Sequence, residues 1–391
     1  MKKMILLFVF ALLAMSSCRS TVAIEEPGND FPAGSLELDD VARILSSLPM
    51  QAGNLAEVYD AVHSSSGNGY DEEYMMSDLF NDPGTGVGED SVRSKSADTR
   101  SSGYGTPLRD LFADYFSNMA LTKGSGSAKD YIESLSSSDI QIYWPYSDEW
   151  DGNSYPIITF DPGYGAESNI GYEVKVDESG LHVVNPIEVD ENVAMTRPVW
   201  VINRNDDSEY SPLKLISTSS QSCSPKSAEH PVLKMKSFKM LRNYDSWFSG
   251  GSEFFVKVGA VDGFKASTDE ELKLYAPHVN DFMINIRRKD VKVAQNLDCI
   301  LLTDFTDQME NIVFMIIEDD GGTTTSWKAS TTVKYNSKTY GFEINLPYKD
   351  NDDIVWRGQL SRSFFFNADG SKPKNYISGR FGDVEVSFTL Q

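Results

Sequence analysis

Around residue 140 the apolar period of this chain changes, and that change constrains the fold more than any other feature. Upstream, apolar side chains recur every three or four positions; from Ile140 onward they fall into short runs broken by Gly, Pro, Asn and Asp. Helices therefore gather at the N-terminal end and strands fill the rest, an α+β arrangement that is mostly β. The expected parts are a small N-terminal helical unit, a central small sheet and a C-terminal antiparallel β-sandwich.

The helical part rests on spacing and caps. Leu38, Val41, Ile44, Leu45 and Leu48 share a stripe that ends at Pro49. A second helix follows Asn54, which with Glu57 makes a capping pair, and turns Leu55, Val58, Tyr59 and Val62 to one side. Tyr70–Phe80 reads as a third helix with Tyr74, Met75 and Leu79 inward; Pro107–Leu121 and Ala128–Leu135 supply two more. Residues 81–105, with Pro83, Gly84, Gly86 and Gly88, read as a linker within a helical region spanning 35–137.

Residues 139–206 hold the short runs IQIYWPY, PIITFDP, GYEVKVD, LHVVNP and RPVWVINRN, spaced as a compact sheet. Residues 207–230 are Ser-rich and read as a linker. Residues 231–391 then contain about eight strand-like runs, the pattern of a two-sheet sandwich. Only Thr268–Leu274 reads as helical there.

The first eighteen residues, MKKMILLFVFALLAMSSC, put two lysines before an apolar run from Met4 to Met15 and two serines before a cysteine. That run is too short to span a bilayer, which takes about 20 residues. The segment resembles the bacterial lipoprotein signal, with Ala14-Met15-Ser16-Ser17-Cys18 in the place of the lipobox. Met15 stands where Leu is usual, as in the looser lipoboxes of Bacteroidota. The resemblance implies removal of residues 1–17, diacylation of Cys18 and a tether through residues 18–34; a soluble signal cut near Ser17 is the alternative. At about 0.8 kcal/mol per buried methylene, two or three acyl chains hold a soluble body to a membrane permanently. Arg19 follows the cysteine rather than the Asp that favours inner-membrane retention. Lipid anchoring in the bacterial outer membrane is therefore expected, on either its periplasmic or its cell-surface face.

With 35 Lys+Arg against 58 Asp+Glu, the net charge of −23 repels nucleic acid and anionic lipid and attracts divalent cations. Three cysteines are present, and neither a CxxC spacing nor a Cys/His cluster occurs, which argues against zinc, haem or iron–sulfur chemistry. Cys223, in a Ser-rich loop, reads as an exposed thiol and Cys299, in a strand-like run, as a buried one.

Within residues 232–391, a strand ending at Leu241 is followed by a loop with Asp245, Trp247, Gly250 and Gly251, and then by SEFFVKV; later, IVFMIIEDDGG places Glu318 and Asp320 one residue apart. This order weakly resembles the C-two domain, a β-sandwich family known for calcium and phospholipid binding. The resemblance implies a calcium site on loops that meet at one end of the sandwich, with Asp245, Glu253, Glu318, Asp319 and Asp320 as ligands. Glu253 stands where that family has Asp, and Thr323–Thr325 stand where a third acidic residue belongs. Calcium takes six to eight oxygens, so clustered carboxylates are the right chemistry; the other reading is a metal-free sandwich with solvated turn carboxylates.

WPYSDEWDG sets Trp144 and Trp150 beside Asp148, Glu149 and Asp151, side chains that could stack a sugar ring and bind its hydroxyls, or instead anchor a hairpin. Asp90-Ser91-Val92 resembles the short O-glycosylation sequence of Bacteroidota envelope proteins, with Ser91 as acceptor. The histidines, His63, His182, His230 and His278, are isolated, without HExxH or a G-x-S-x-G elbow, and read as structural. The function expected is that of a membrane-anchored binding or structural envelope module with an envelope protein or glycan as partner, more in keeping with a non-enzyme. The alternative is a carboxylate-dependent, glycan-directed hydrolase.

Overall fold

The computed structural model describes residues 36–81, 105–123, 127–176, 182–206, 212–213, 230–367 and 372–391. Cys18, Ser91 and Cys223 lie outside them. The fold is α+β and mostly β, with strand pairs that are antiparallel among the described residues except for 157–160 against 199–202, which run parallel.

In the N-terminal half, helices α1 (Leu38–Ser47), α2 (Ala52–Gly67), α3 (Met76–Phe80), α4 (Leu108–Lys123) and α5 (Ala128–Ser136) surround one face of a six-stranded sheet. Its strands are β1 (Glu73–Met75), β2 (Ile140–Tyr143), β3 (Ile157–Phe160), β4 (Ser168–Val176), β5 (His182–Asp190) and β6 (Val199–Arg204), in the order β1-β2-β6-β3-β4-β5; a short helix, α6 (Glu191–Ala194), precedes β6. Strand alternation divides the side chains. Ile142, Ile158, Trp200 and Ile202 join Val41, Ile44, Leu45 and Phe112 in one core, so helices and sheet share their apolar interior. Tyr143, Ile157, Val199 and Val201 face the other way.

Two local expectations are corrected. Residues 70–80 are not one helix: Glu73–Met75 pairs with β2 as an edge strand, and only Met76–Phe80 is helical. Three acids of this segment, Asp71, Glu72 and Glu73, are buried, and partners far away in sequence reach them: Gly251 and Asp71, Ser147 and Glu72, Asn205 and Glu73. The capping pair also differs. α2 starts at Ala52, Asn54 accepts the Gln51 amide at 3.0 Å, and Glu57 accepts the Leu108 amide at 2.9 Å, at the start of α4 rather than of its own helix.

The C-terminal half is a sandwich. One sheet has the order β10-β7-β16-β15 and the other β14-β11-β8-β9, where β7 is Leu233–Met240, β8 Ser252–Ala260, β9 His278–Ile286, β10 Gln295–Leu302, β11 Asn311–Glu318, β14 Asp353–Ser361, β15 Ile377–Phe381 and β16 Val384–Leu390. Short helices α7 (Asp269–Leu272) and α8 (Arg362–Phe365) lie between strands, α7 within the segment expected to be helical. Phe238, Phe254, Val256, Ile284, Phe314 and Phe388 interdigitate between the sheets, and Cys299 is buried among them, its thiol pushed up to about 12 by burial. A hairpin, β12 (Thr324–Tyr335) with β13 (Lys338–Lys349), covers the outer face of the second sheet, where Ile344 and Leu346 meet Phe255, Val313 and Met315. β8 is consequently buried along its whole length. No helix among the described residues is long and apolar enough to cross a membrane.

Candidate metal centre

The loop 241–251 between β7 and β8 positions the site and also joins the two halves. Trp247 and Phe248 meet at a tilt with ring centroids 4.0 Å apart and bury against Tyr143, Ile157, Val199 and Val201, on the sheet face opposite α1–α5. Burial of a Phe-sized side chain contributes about 1.5–3 kcal/mol. Trp247 Nε1 donates to the Glu167 carbonyl at 3.0 Å, and Asn203 Nδ2 donates to the carbonyls of Phe248 and Ser249 at 3.0 and 2.8 Å. The chain then turns into β8 through Gly250, at φ 139°, and Gly251, where a Cβ would lie 2.7 Å from the Ile286 carbonyl oxygen.

Asp245 on this loop, Glu253 at the start of β8 and Glu318 at the end of β11 each bring a carboxylate oxygen within 4.8 Å of the other two. Glu318 is completely buried, and neither of its oxygens meets a hydrogen-bond donor; Asp245 Oδ2 is likewise buried without a donor. Glu253, also buried, accepts from Asn285 Nδ2 at 2.8 Å, while Arg288 Nη1 donates to the Asp245 carbonyl at 2.8 Å. Burial, and after it the Asp245 carboxylate, pushes the Glu318 carboxyl far above the usual carboxylate range. Burial also raises Asp245, with Glu318 and Ser252 opposing.

A buried carboxylate without a partner costs several kcal/mol. Two chemical states relieve that cost here: protonation of Glu318, which then donates to Asp245, or a cation held by the three carboxylates. Three carboxylates offer at most about six oxygens, a donor set for a hard divalent ion of the calcium class. The orphaned Glu318 oxygens are those such an ion would satisfy, so the residues fit the group that the C-two resemblance implies.

Of the five acids expected in the site, these three converge. Asp319 is taken by Lys349, whose Nζ lies 2.9 and 3.0 Å from its two oxygens. Asp320 is exposed at the rim, its carboxyl raised to about 6 by partial burial and then by Asp245 and Asp353. Sequence reasoning missed Asn285, Arg288 and Asp71, which place the ligands and the loop. Only contacts across long stretches of sequence reveal them.

No family model matches the chain, and no curated protein matches its sequence.

Within the aromatic loop, the burial of Trp144 leaves it no face on which to stack a sugar. Trp144 is 1% exposed and packs edge-on against Tyr59, Trp150 and Trp200, so it presents no face to a ligand. Trp150 is half-buried and donates to the Ser154 carbonyl; Asp151 accepts the amides of Asn153 and Ser154 within its own turn. Asp148 pairs with Lys289 of the sandwich, which with Glu72 outweighs burial and lowers its carboxyl to about 2, while Glu149 is exposed. Elsewhere, an open groove of about 500 Å³ is lined by Tyr155, Glu173, Lys175 and Arg197. Lys175 at 2.7 Å and Arg197 at 2.5 Å lower the Glu173 carboxyl, the opposite of what a glycosidase acid requires.

Proposed function

We propose that this chain is a bacterial envelope lipoprotein, held in the outer membrane by acyl chains on Cys18, whose folded body is a binding or structural module with a calcium-class cation site. The leader supports the anchor: two lysines, an apolar run too short to span, and Cys18 behind small residues. One observation carries the cation site, namely the fully buried Glu318 with two partnerless oxygens facing Asp245 and Glu253. An ion so enclosed has little open coordination left for a phospholipid headgroup, which favours a role in holding the fold together over bridging to lipid. A glycan-directed hydrolase finds less support, because two acids of the triad, Glu253 and Glu318, are buried, and Lys175 and Arg197 lower the carboxyl of the glutamate in the open groove.

Calorimetric titration of the full mature protein with calcium tests the site. Binding of one ion, weaker response to magnesium, and loss of binding in Glu318→Gln are expected. No heat and no rise in Tm at millimolar calcium would leave a protonated carboxyl–carboxylate pair as the state of the triad. Mass spectrometry of native material tests the anchor: an acylated N-terminal Cys18 is expected, and a bare thiol or a retained leader overturns it.

A further inference from the structure

We infer that cation occupancy at Asp245, Glu253 and Glu318 sets how firmly the sandwich docks on the N-terminal half, making the site a lock on the junction. This rests on the cation reading above. The loop that docks the halves is bracketed by two of the three ligands: Asp245 precedes Trp247 and Phe248, and Glu253 follows Gly251. Residues that fix the ligands also grip the other half. Arg288 donates through Nη1 to the Asp245 carbonyl, and through Nε and Nη2 to the Glu191 carboxylate at 2.7 and 3.2 Å. Between the ligands, Gly251 donates its amide to Asp71 at 2.7 Å.

An ion shifts an equilibrium only by binding one state better than the other. In the docked state Arg288, Asp71 and the buried Trp247–Phe248 pair hold the loop where Asp245 meets Glu318. An undocked loop loses these restraints, and the ligand set with them. Docking and ion binding are therefore linked, and the linkage is reciprocal.

Hydrogen exchange on the full mature protein, with calcium and with chelator, tests the lock beside a calorimetric titration of the same sample. Calcium is expected to slow exchange about tenfold or more both in 244–251 and in the facing strands β1 and β6, leaving the β12–β13 hairpin unchanged. Reciprocally, Asp71→Asn, which lies outside the triad, is expected to weaken calcium binding about fivefold or more. Should that variant fail to fold, Asn203→Ser removes only the two bonds to the loop carbonyls and gives the same reading. If calorimetry detects no calcium binding, the cation reading itself fails. If calcium binds, but protection stays within the loop and both variants bind as the wild type does, the lock is overturned and the site stands.

Discussion

The carboxylate of Asp71 accepts the backbone amide of Gly251 at 2.7 Å, across 180 positions of sequence, where the chain turns into β8. Its other oxygen accepts the Glu72 amide at 2.8 Å, so one buried side chain ties the first strand of the N-terminal sheet to the loop that carries Asp245. Around it, Lys289 pairs with Asp148 and stands 3.6 Å from Glu72, and Arg287 donates to Ser66 at 2.9 Å. The junction is therefore both apolar and ionic.

Trp247→Ala empties the apolar part. A loss of about 3–5 kcal/mol is expected, as for deletion of a large buried side chain. Urea unfolding followed by fluorescence should then show the two halves melting separately. Leu274→Ala, at a position 82% exposed, is the control and should leave the curve unmoved.

Glu72 makes the junction sensitive to pH. Burial first, and then Asp71, raises its carboxyl from 4.5 to about 8. The folded state thus holds this proton more tightly than the unfolded chain does. The resulting stability is complete below pH 4.5 and is lost as pH climbs through about 8. At about 1.4 kcal/mol per unit, the loss is on the order of a few kcal/mol. Glu72→Gln, uncharged throughout, should flatten the decline and be the more stable protein at pH 8. Curves that stay parallel to the wild type would remove Glu72 from the account.

Calcium binding should expel a proton. Burial and Asp245 keep Glu318 protonated when no ion is bound, and a carboxylate must be ionised to act as a ligand. Apparent affinity is expected to rise with pH, and the calorimetric heat to change with the ionisation enthalpy of the buffer, to the extent of about one proton per ion. Equal heats in all buffers would contradict this.

Gly251→Ala tests the turn between the Trp247–Phe248 pair and Glu253. The added Cβ meets the Ile286 backbone carbonyl, which cannot swing aside. A stability loss of about 1–3 kcal/mol is expected by chemical denaturation, with a smaller calcium-induced rise in Tm than in the wild type.

How legible these features are in the sequence depends on how many faces a segment buries. β8 and β11 are buried almost completely and stand out as the apolar runs SEFFVKVGA and NIVFMIIE. β14 and β15 are hard to read from the sequence because they are edge strands: most of DIVWRGQLS is exposed, and ISGRF alternates only weakly. β1 reads as helix because Asp71, Glu72 and Glu73 look like a solvent face, and their burial depends on residues up to 180 positions away. In the site, the acids at 245, 253 and 318 could be found because they flank obvious strands. Nothing local distinguishes Asp319, which Lys349 neutralises, from Glu318, which has no such partner.

The strand order of the first sandwich sheet bears on when the protein can fold. β16 lies between β7 and β15, and its Leu390 pairs with Leu233, so the sheet cannot close until residues 384–390 are available. Contacts of such wide separation form slowly. Under the export proposed above, this order keeps the core between the two sheets open until residues 384–390 have crossed the membrane.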